Sequence, residues 1–230
     1  MRQLLIVIAL LFAHTAWSGD FEDGGAAFKR EDYRTALTKF GSAAQQGDSR
    51  AQMMLGTMYG EGKGVAQDYK EAAVWYQLAA QNGIPQAQYN LGNMYASGKG
   101  VEKDYKQASR WFSLSAEQGY ADAQHNLGYL YANGLGVKQD IKEALRWYRL
   151  AAQQGQYGSQ VNLGTLYGTG QGITQDNIRA YMWFNIASTS GKQESIQGRD
   201  IMARKMTSQQ IEQAQRMARE CMASNFTKCD

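Results

Sequence analysis

The fold is decided by residues 51–83, which read AQMMLGTMYGEGKGVAQDYKEAAVWYQLAAQNG, because the same pattern returns every 36 residues. Each copy has a Leu-Gly pair, a tyrosine four residues after the leucine, a tryptophan followed by a second aromatic residue, and a closing glycine. Four full copies are visible, and chance does not place these residues on one grid. The markers are Leu55-Gly56, Leu91-Gly92, Leu127-Gly128 and Leu163-Gly164; Tyr59, Tyr95, Tyr131 and Tyr167; Trp75, Trp111, Trp147 and Trp183; and Gly83, Gly119, Gly155 and Gly191.

Each copy predicts two helices joined by a turn. Leu55 and Tyr59 lie on one side of the first helix, and Gly56 is small enough to let a second helix approach closely. The glycines of residues 62–64 can adopt positive φ, and the Asp68 carboxylate can cap the second helix. Such a hairpin cannot cover its own apolar face, so neighbouring copies must stack. The sequence therefore predicts an all-α fold, a right-handed α-solenoid of helix-turn-helix repeats with a concave binding face.

The grid also sets the expected domain organisation. Residues 19–47 keep half of the pattern and predict a degenerate N-terminal repeat, residues 48–191 contain the four 36-residue repeats, and residues 192–230 form terminal capping helices and a cysteine-containing tail. A capping helix is expected from Thr207 to about Met222.

The first 18 residues predict a signal peptide. Arg2 precedes an apolar run from Leu4 to Ala13, and residues 16–18 provide small residues for cleavage after Ser18. The run is shorter than the roughly 20 residues that span a bilayer, so no membrane span is expected after cleavage. We therefore predict an exported protein that is periplasmic or secreted.

The two cysteines, Cys221 and Cys229, lie at the C-terminal end of the chain. In an oxidising compartment they can form a disulfide, and the alternative is a pair of free thiols for metal or redox chemistry. Their spacing is not C-x-x-C and no histidine is near them in sequence, which favours the disulfide and predicts no metal site.

Charge and residue types argue against nucleic acid as a partner and against catalysis. Without Arg2, 23 of the 24 Lys and Arg residues remain against 21 Asp and Glu, and they are spread along the chain. His125 is the only histidine after the leader, and Met53, Tyr89 and Val161 occupy its position in the other repeats, which favours a variable surface position. We predict no enzyme and no cofactor.

The motif Ala87-Gln88-x-x-Leu91-Gly92-x-x-Tyr95, with the following Gly98-x-Gly100-Val101-x-x-Asp104 and Trp111-Phe112, resembles the Sel1-like repeat (SLR), a relative of the tetratricopeptide repeat. The resemblance covers roughly residues 32–191, and the tail is similar to that of secreted bacterial members. It implies a scaffold or adaptor for proteins, peptides or envelope components. Some secreted members with a cysteine pair in each repeat are linked to penicillin binding or weak β-lactam hydrolysis, but this chain lacks those cysteines.

In three of the four full repeats an asparagine directly precedes the Leu-Gly pair, on the helix expected to line the concave face. The amides can bind an extended peptide, with neighbouring side chains adding specificity, or they can bridge adjacent repeats through hydrogen bonds. The candidate ligand-binding residues are Tyr89, Asn90, Asn93, His125, Asn126, Tyr129 and Asn162.

The expected function is an exported scaffold or adaptor of the bacterial cell envelope that mediates protein–protein or protein–peptide interactions through its concave face. Two alternatives stay open at this point. The partner can be peptidoglycan, or the protein can be an envelope enzyme or binder acting on β-lactam or peptidoglycan fragments.

Overall fold

The structure is a computed structural model that describes residues 19–227 and 229. The predicted signal peptide, residues 1–18, lies outside the described residues. All regular secondary structure in the described part is helical, beginning with α1, which includes residues 19–29. The other helices are α2 Tyr33–Gln45, α3 Ser49–Glu61, α4 Tyr69–Gln81, α5 Pro85–Ser97, α6 Tyr105–Glu117, α7 Ala121–Asn133, α8 Ile141–Gln153, α9 Tyr157–Thr169, α10 Asn177–Ser188, α11 Gln193–Ala203 and α12 Ser208–Ala223.

The chain divides into two compact units, with the boundary between Trp111 and Phe112 inside α6. In the first unit, α2 packs on α3, α3 on α4, and α4 on α5. In the second unit, α7 packs on α8, α8 on α9 and α9 on α10, and α10 also contacts α11 and α12. The predicted all-α fold of stacked helical hairpins is confirmed.

Aspartates start the second helix of each repeat, as predicted. The Asp68 carboxylate accepts hydrogen bonds from the backbone N–H groups of Lys70 and Glu71 at 2.8 and 3.1 Å. Asp140 caps α8 in the same way. These bonds satisfy donors that have no partner within the helix, and each cap stabilises its helix by about 1 kcal/mol. The remaining repeats use Asp104 for α6 and Asp176 for α10.

The glycine of the Leu-Gly pair permits close packing of the two helices in a repeat. A methyl group added at Gly56 would lie 2.5 Å from the Tyr76 ring, and one at Gly128 would lie 2.8 Å from the Tyr148 ring. Such distances are far below van der Waals contact. The prediction that this glycine allows the second helix to approach is confirmed.

The C-terminal helices cover the last repeat. Thr207 and Gln210 form a capping box at the start of α12. Ala214 is buried against the core of the second unit, and Gln215 donates a hydrogen bond to the Tyr181 hydroxyl at 3.2 Å. A disulfide joins Cys221 and Cys229, and both sulfur-bearing side chains are buried.

Candidate functional site

The candidate residues lie on the first helices of the repeats, three in the first unit and four in the second. Among them, only Tyr129 is exposed, with 49% of its surface accessible to solvent, while the others are half-buried. Their positions are Tyr89, Asn90 and Asn93 on α5, His125, Asn126 and Tyr129 on α7, and Asn162 on α9.

Two of the three asparagines bridge repeats. The Asn90 amide is hydrogen-bonded to the Tyr76 hydroxyl, and the Asn162 amide is hydrogen-bonded to the Tyr148 hydroxyl. Each bond joins the first helix of one repeat to the second helix of the repeat before it. Burial raises the pKa of both tyrosines, so their hydroxyls stay protonated and need a partner. These contacts support the bridging interpretation for both asparagines.

The third asparagine is in a different environment. Phe112 occupies the position that Tyr76 and Tyr148 hold in the other repeats, and it offers no hydroxyl to Asn126. The three asparagines therefore occupy the same repeat position in the sequence, but they do not all bond to a tyrosine hydroxyl.

His125 is half-buried, so it is less exposed than the variable surface position that the comparison of repeats predicts. Its Nδ1 atom lies 2.9 Å from the Ser159 hydroxyl, and a methyl group added at Gly158 would lie 2.8 Å from its Cε1 atom. The N-terminal end of α9 thus packs over the imidazole. Burial lowers the pKa of His125, and the nearby Asp122 opposes this shift.

The pair formed by His125 and Ser159 does not have the geometry of a nucleophilic site. Ser159 is fully buried, so its hydroxyl is not placed to attack a bound substrate. The backbone N–H of Ser159 also donates to the Gln156 side chain at 2.7 Å, which caps α9. We interpret the hydrogen bond between His125 and Ser159 as a structural link between the third and fourth repeats.

A buried glutamine in each repeat is a second link, which sequence analysis missed. Each glutamine donates a hydrogen bond from its side-chain amide to a backbone carbonyl near the end of the preceding helix, where carbonyls lack partners within the helix. The signal was present in the sequence, because these glutamines recur three residues before every Leu-Gly pair. The pairs are Gln52 with Ala44, Gln88 with Ala80, Gln124 with Ala116, and Gln160 with Ala152, at 3.4, 3.1, 3.1 and 3.5 Å.

Basic side chains line two clefts in the second unit, which the sequence analysis did not predict. The first, with a volume of about 360 Å³, lies between α8, residues 173–176 and α10, and it contains Arg149 and Arg179. The second, of about 390 Å³, lies along α8 and contains Lys142, Arg146 and Arg149. Leu145 and Arg149 line both clefts, so the two clefts are neighbours.

The part of the chain that the structure describes has neither a metal-binding cluster nor a membrane-spanning helix. Within residues 19–227 and 229, no group of three or more His, Cys, Asp or Glu side chains is placed to hold a metal ion. None of the helices described is long and apolar enough to cross a membrane.

Comparison with known structures shows clear relatives. A Sel1 repeat protein from Oxalobacter formigenes is 34% identical, with the alignment covering 76% of this chain and 72% of that one at a TM-score of 0.72. A Sel1 repeat protein from Klebsiella pneumoniae is 20% identical over 81% of this chain and 93% of that one at a TM-score of 0.52, a likeness of fold alone. A comparison with curated proteins finds no significant match.

The repeats themselves match a family model. The model of the Sel1 repeat matches residues 49–84, 85–120, 121–156 and 158–192, which together make up more than half of the chain. Sel1 repeat proteins generally mediate protein–protein interactions, and the match gives no support to a peptidoglycan partner. The chain belongs to the Sel1 repeat family.

Proposed function

We propose that this protein is an exported scaffold that binds a protein partner through its Sel1 repeats. The observation that carries the proposal is the series of four tandem repeats across residues 49–192, since such repeats generally serve protein–protein interaction and the family is generally non-enzymatic. Within each unit, the stacked repeats present neighbouring helices that a partner can contact.

The proposed contact residues are those beside the bridging asparagines. Tyr129 is the strongest candidate, because an exposed tyrosine offers both apolar area and a hydroxyl, and tyrosine is enriched at the energetic centres of interfaces. Asn93 occupies the same repeat position on α5, and Tyr89 occupies the position of His125. Asn90 and Asn162 contribute indirectly, by fixing the helices that present these side chains.

Export is supported by the apolar run from Leu4 to Ala13 and by the cysteine pair. Disulfides form and persist mainly in oxidising compartments such as the periplasm. Fractionation of the native bacterium followed by N-terminal sequencing tests this part. A mature protein that begins at Gly19 in the periplasm or medium is the expected result, and an uncleaved protein in the cytosol would contradict it.

Site-specific photocrosslinking in intact cells tests the binding surface. A photoreactive residue replaces Tyr129 in one variant and Glu117, an exposed residue of α6 in the same unit, in the control. We expect one saturable protein partner to be captured from position 129 and not from position 117. Equal capture from both positions, or capture from neither, would refute binding at this surface.

A further inference from the structure

The second helices of the repeats share one position at which the residue type follows the degree of burial. On α2, α6 and α8 the residues there are Thr38, Arg110 and Arg146, which are polar and exposed. On α10 the residue is Met182, which is fully buried. On α4 it is Val74, and 54% of its surface is accessible to solvent. Among these five helices, α4 alone therefore has an apolar residue at this position with no part of the described chain covering it.

A second apolar residue extends this surface of α4 by one turn. Leu78 follows Val74 by four residues, so the two side chains are neighbours on the helix surface, and 38% of Leu78 is exposed. The exposed residues beside them are Gln77 and Gln81, and no charged residue occurs from Val74 to Gln81. We call these four residues the α4 face. On α6 and α8 the leucine at the position of Leu78 is accompanied by an arginine, whereas the α4 face is uncharged.

The last repeat shows what covers such a surface when both positions are apolar. On α10 the two equivalent residues are Met182 and Ile186, and both are fully buried. They lie in one hydrophobic cluster with Ala214 and Ala218 of α12, and α10 contacts both α11 and α12. The same repeat positions therefore pack against helices within this chain.

The covering helix α12 is amphipathic. Ile211, Ala214 and Ala218 are buried or half-buried and follow one another at intervals of three and four residues, whereas Glu212 and Arg216 are exposed. This spacing places the apolar residues in one stripe along the helix. Alanine is small, so it lets two helix axes approach closely. A helix with this pattern matches an uncharged, apolar helix surface.

The α4 face is too small to hold two copies of this chain together by itself. The 13 residues of α4 make it about 20 Å long and about 10 Å wide with its side chains, so it offers roughly 200 Å² in projection. A stable dimer buries about 800 Å² on each partner. A single bound helix matches the length and the width of the α4 face.

We propose that the α4 face binds an amphipathic helix of a protein partner, which contacts Val74 and Leu78 through a stripe of alanine and larger aliphatic side chains. Packing the apolar side of a helix on an apolar surface is a recurrent mode of peptide recognition. This inference rests on the proposed function, because it supplies the chemistry of a protein partner. It uses a surface of the first unit, whereas Tyr129 belongs to the second unit.

Fluorescence anisotropy with the full chain tests the proposal, and a labelled peptide of residues 207–223 with the substitution C221A serves as the helix. This peptide has two acidic and two basic residues, so net charge does not drive its binding. The variant V74R places on α4 the arginine that α6 and α8 have at this position. The control Q86R adds the same charge at an exposed position of α5, where α3 has Arg50. We expect the Kd to rise about tenfold in V74R, because the arginine loses hydration in an apolar contact, and less than about twofold in Q86R.

An unchanged Kd in V74R would overturn the proposal, as would equal weakening in Q86R or the absence of binding to the unsubstituted chain. A dimer in sedimentation velocity that V74R dissociates would also overturn it, because the α4 face would then bind a second copy of the chain. Failure here is separable from failure of the scaffold function. If the peptide does not bind the α4 face while crosslinking from position 129 still captures a partner, the helix-binding site is wrong and the scaffold function stands.

Discussion

Asn162→Ala tests whether the asparagines hold repeats together. The substitution removes the hydrogen bond to Tyr148 and leaves a tyrosine hydroxyl, on a side chain only 2% exposed, without that partner. A buried polar group that loses its partner costs about 1–3 kcal/mol of unfolding free energy. For a chain of this size that loss corresponds to a fall in Tm of about 2–4 °C per kcal/mol.

Tyr148→Phe removes the other half of the same bond. Because Asn162 is half-exposed, water can reach its amide, and we expect a smaller loss of about 0.5–1.5 kcal/mol. Phenylalanine is compatible with the fold, because Phe112 occupies this position in another repeat. In the double variant the second substitution should cost little further stability, because the first has already removed the hydrogen bond.

The assay is a double-mutant cycle from urea unfolding of the four proteins. We expect an interaction energy of about 1 kcal/mol between the two positions. Losses that add to within about 0.3 kcal/mol would refute the reasoning, because additive effects mean that the two side chains do not share a bond. Partner capture from Tyr129 should survive in Asn162→Ala at temperatures below its Tm.

The remaining predictions concern packing, pH and the disulfide. Gly128→Ala should lower the unfolding free energy by about 1–3 kcal/mol, because the added methyl meets the Tyr148 ring, whereas Gly41→Ala, with no atom within 4 Å of its methyl, should not; equal losses in urea unfolding would contradict this. Burial lowers the pKa of His125 in the folded state, so below about pH 6.5 the unfolded chain binds more protons than the folded chain. The free energy of unfolding should therefore fall as the pH is lowered, by at most about 1.4 kcal/mol per pH unit. The variant His125→Met should show a shallower dependence of Tm on pH in thermal melts, and an unchanged slope would count against this reasoning. Reduction of the terminal disulfide with dithiothreitol should lower the unfolding free energy by about 2–3 kcal/mol, and an unshifted urea midpoint would show that the bridge does not constrain the unfolded chain.

Local features with a fixed spacing were predictable from sequence. The aspartate at Asp68 and its equivalents caps a helix through neighbours two or three residues away, so the sequence contains both partners of each bond. The role of Gly56 could likewise be predicted, because the position of Tyr76, which it contacts in the same hairpin, is aromatic in every repeat.

Contacts between repeats were harder to predict. The environment of His125 depends on Ser159, which is 34 residues away, and the other repeats have no histidine with which to compare it. The basic clefts are not evident from the sequence, because the charges are spread along the chain. Arg149 and Arg179 meet only after α8 and α10 pack around Tyr167.

The buried glutamines bear on how such a chain can grow by gene duplication. The glutamine that joins a repeat to its predecessor belongs to the incoming repeat, and its acceptor is a backbone carbonyl, which every residue possesses. A duplicated repeat therefore carries the donor of its own inter-repeat hydrogen bond, and it needs no matching side chain in the repeat before it. The bond between Asn162 and Tyr148 requires a specific residue on both sides, and Phe112 shows that this requirement can lapse in one copy while the array persists.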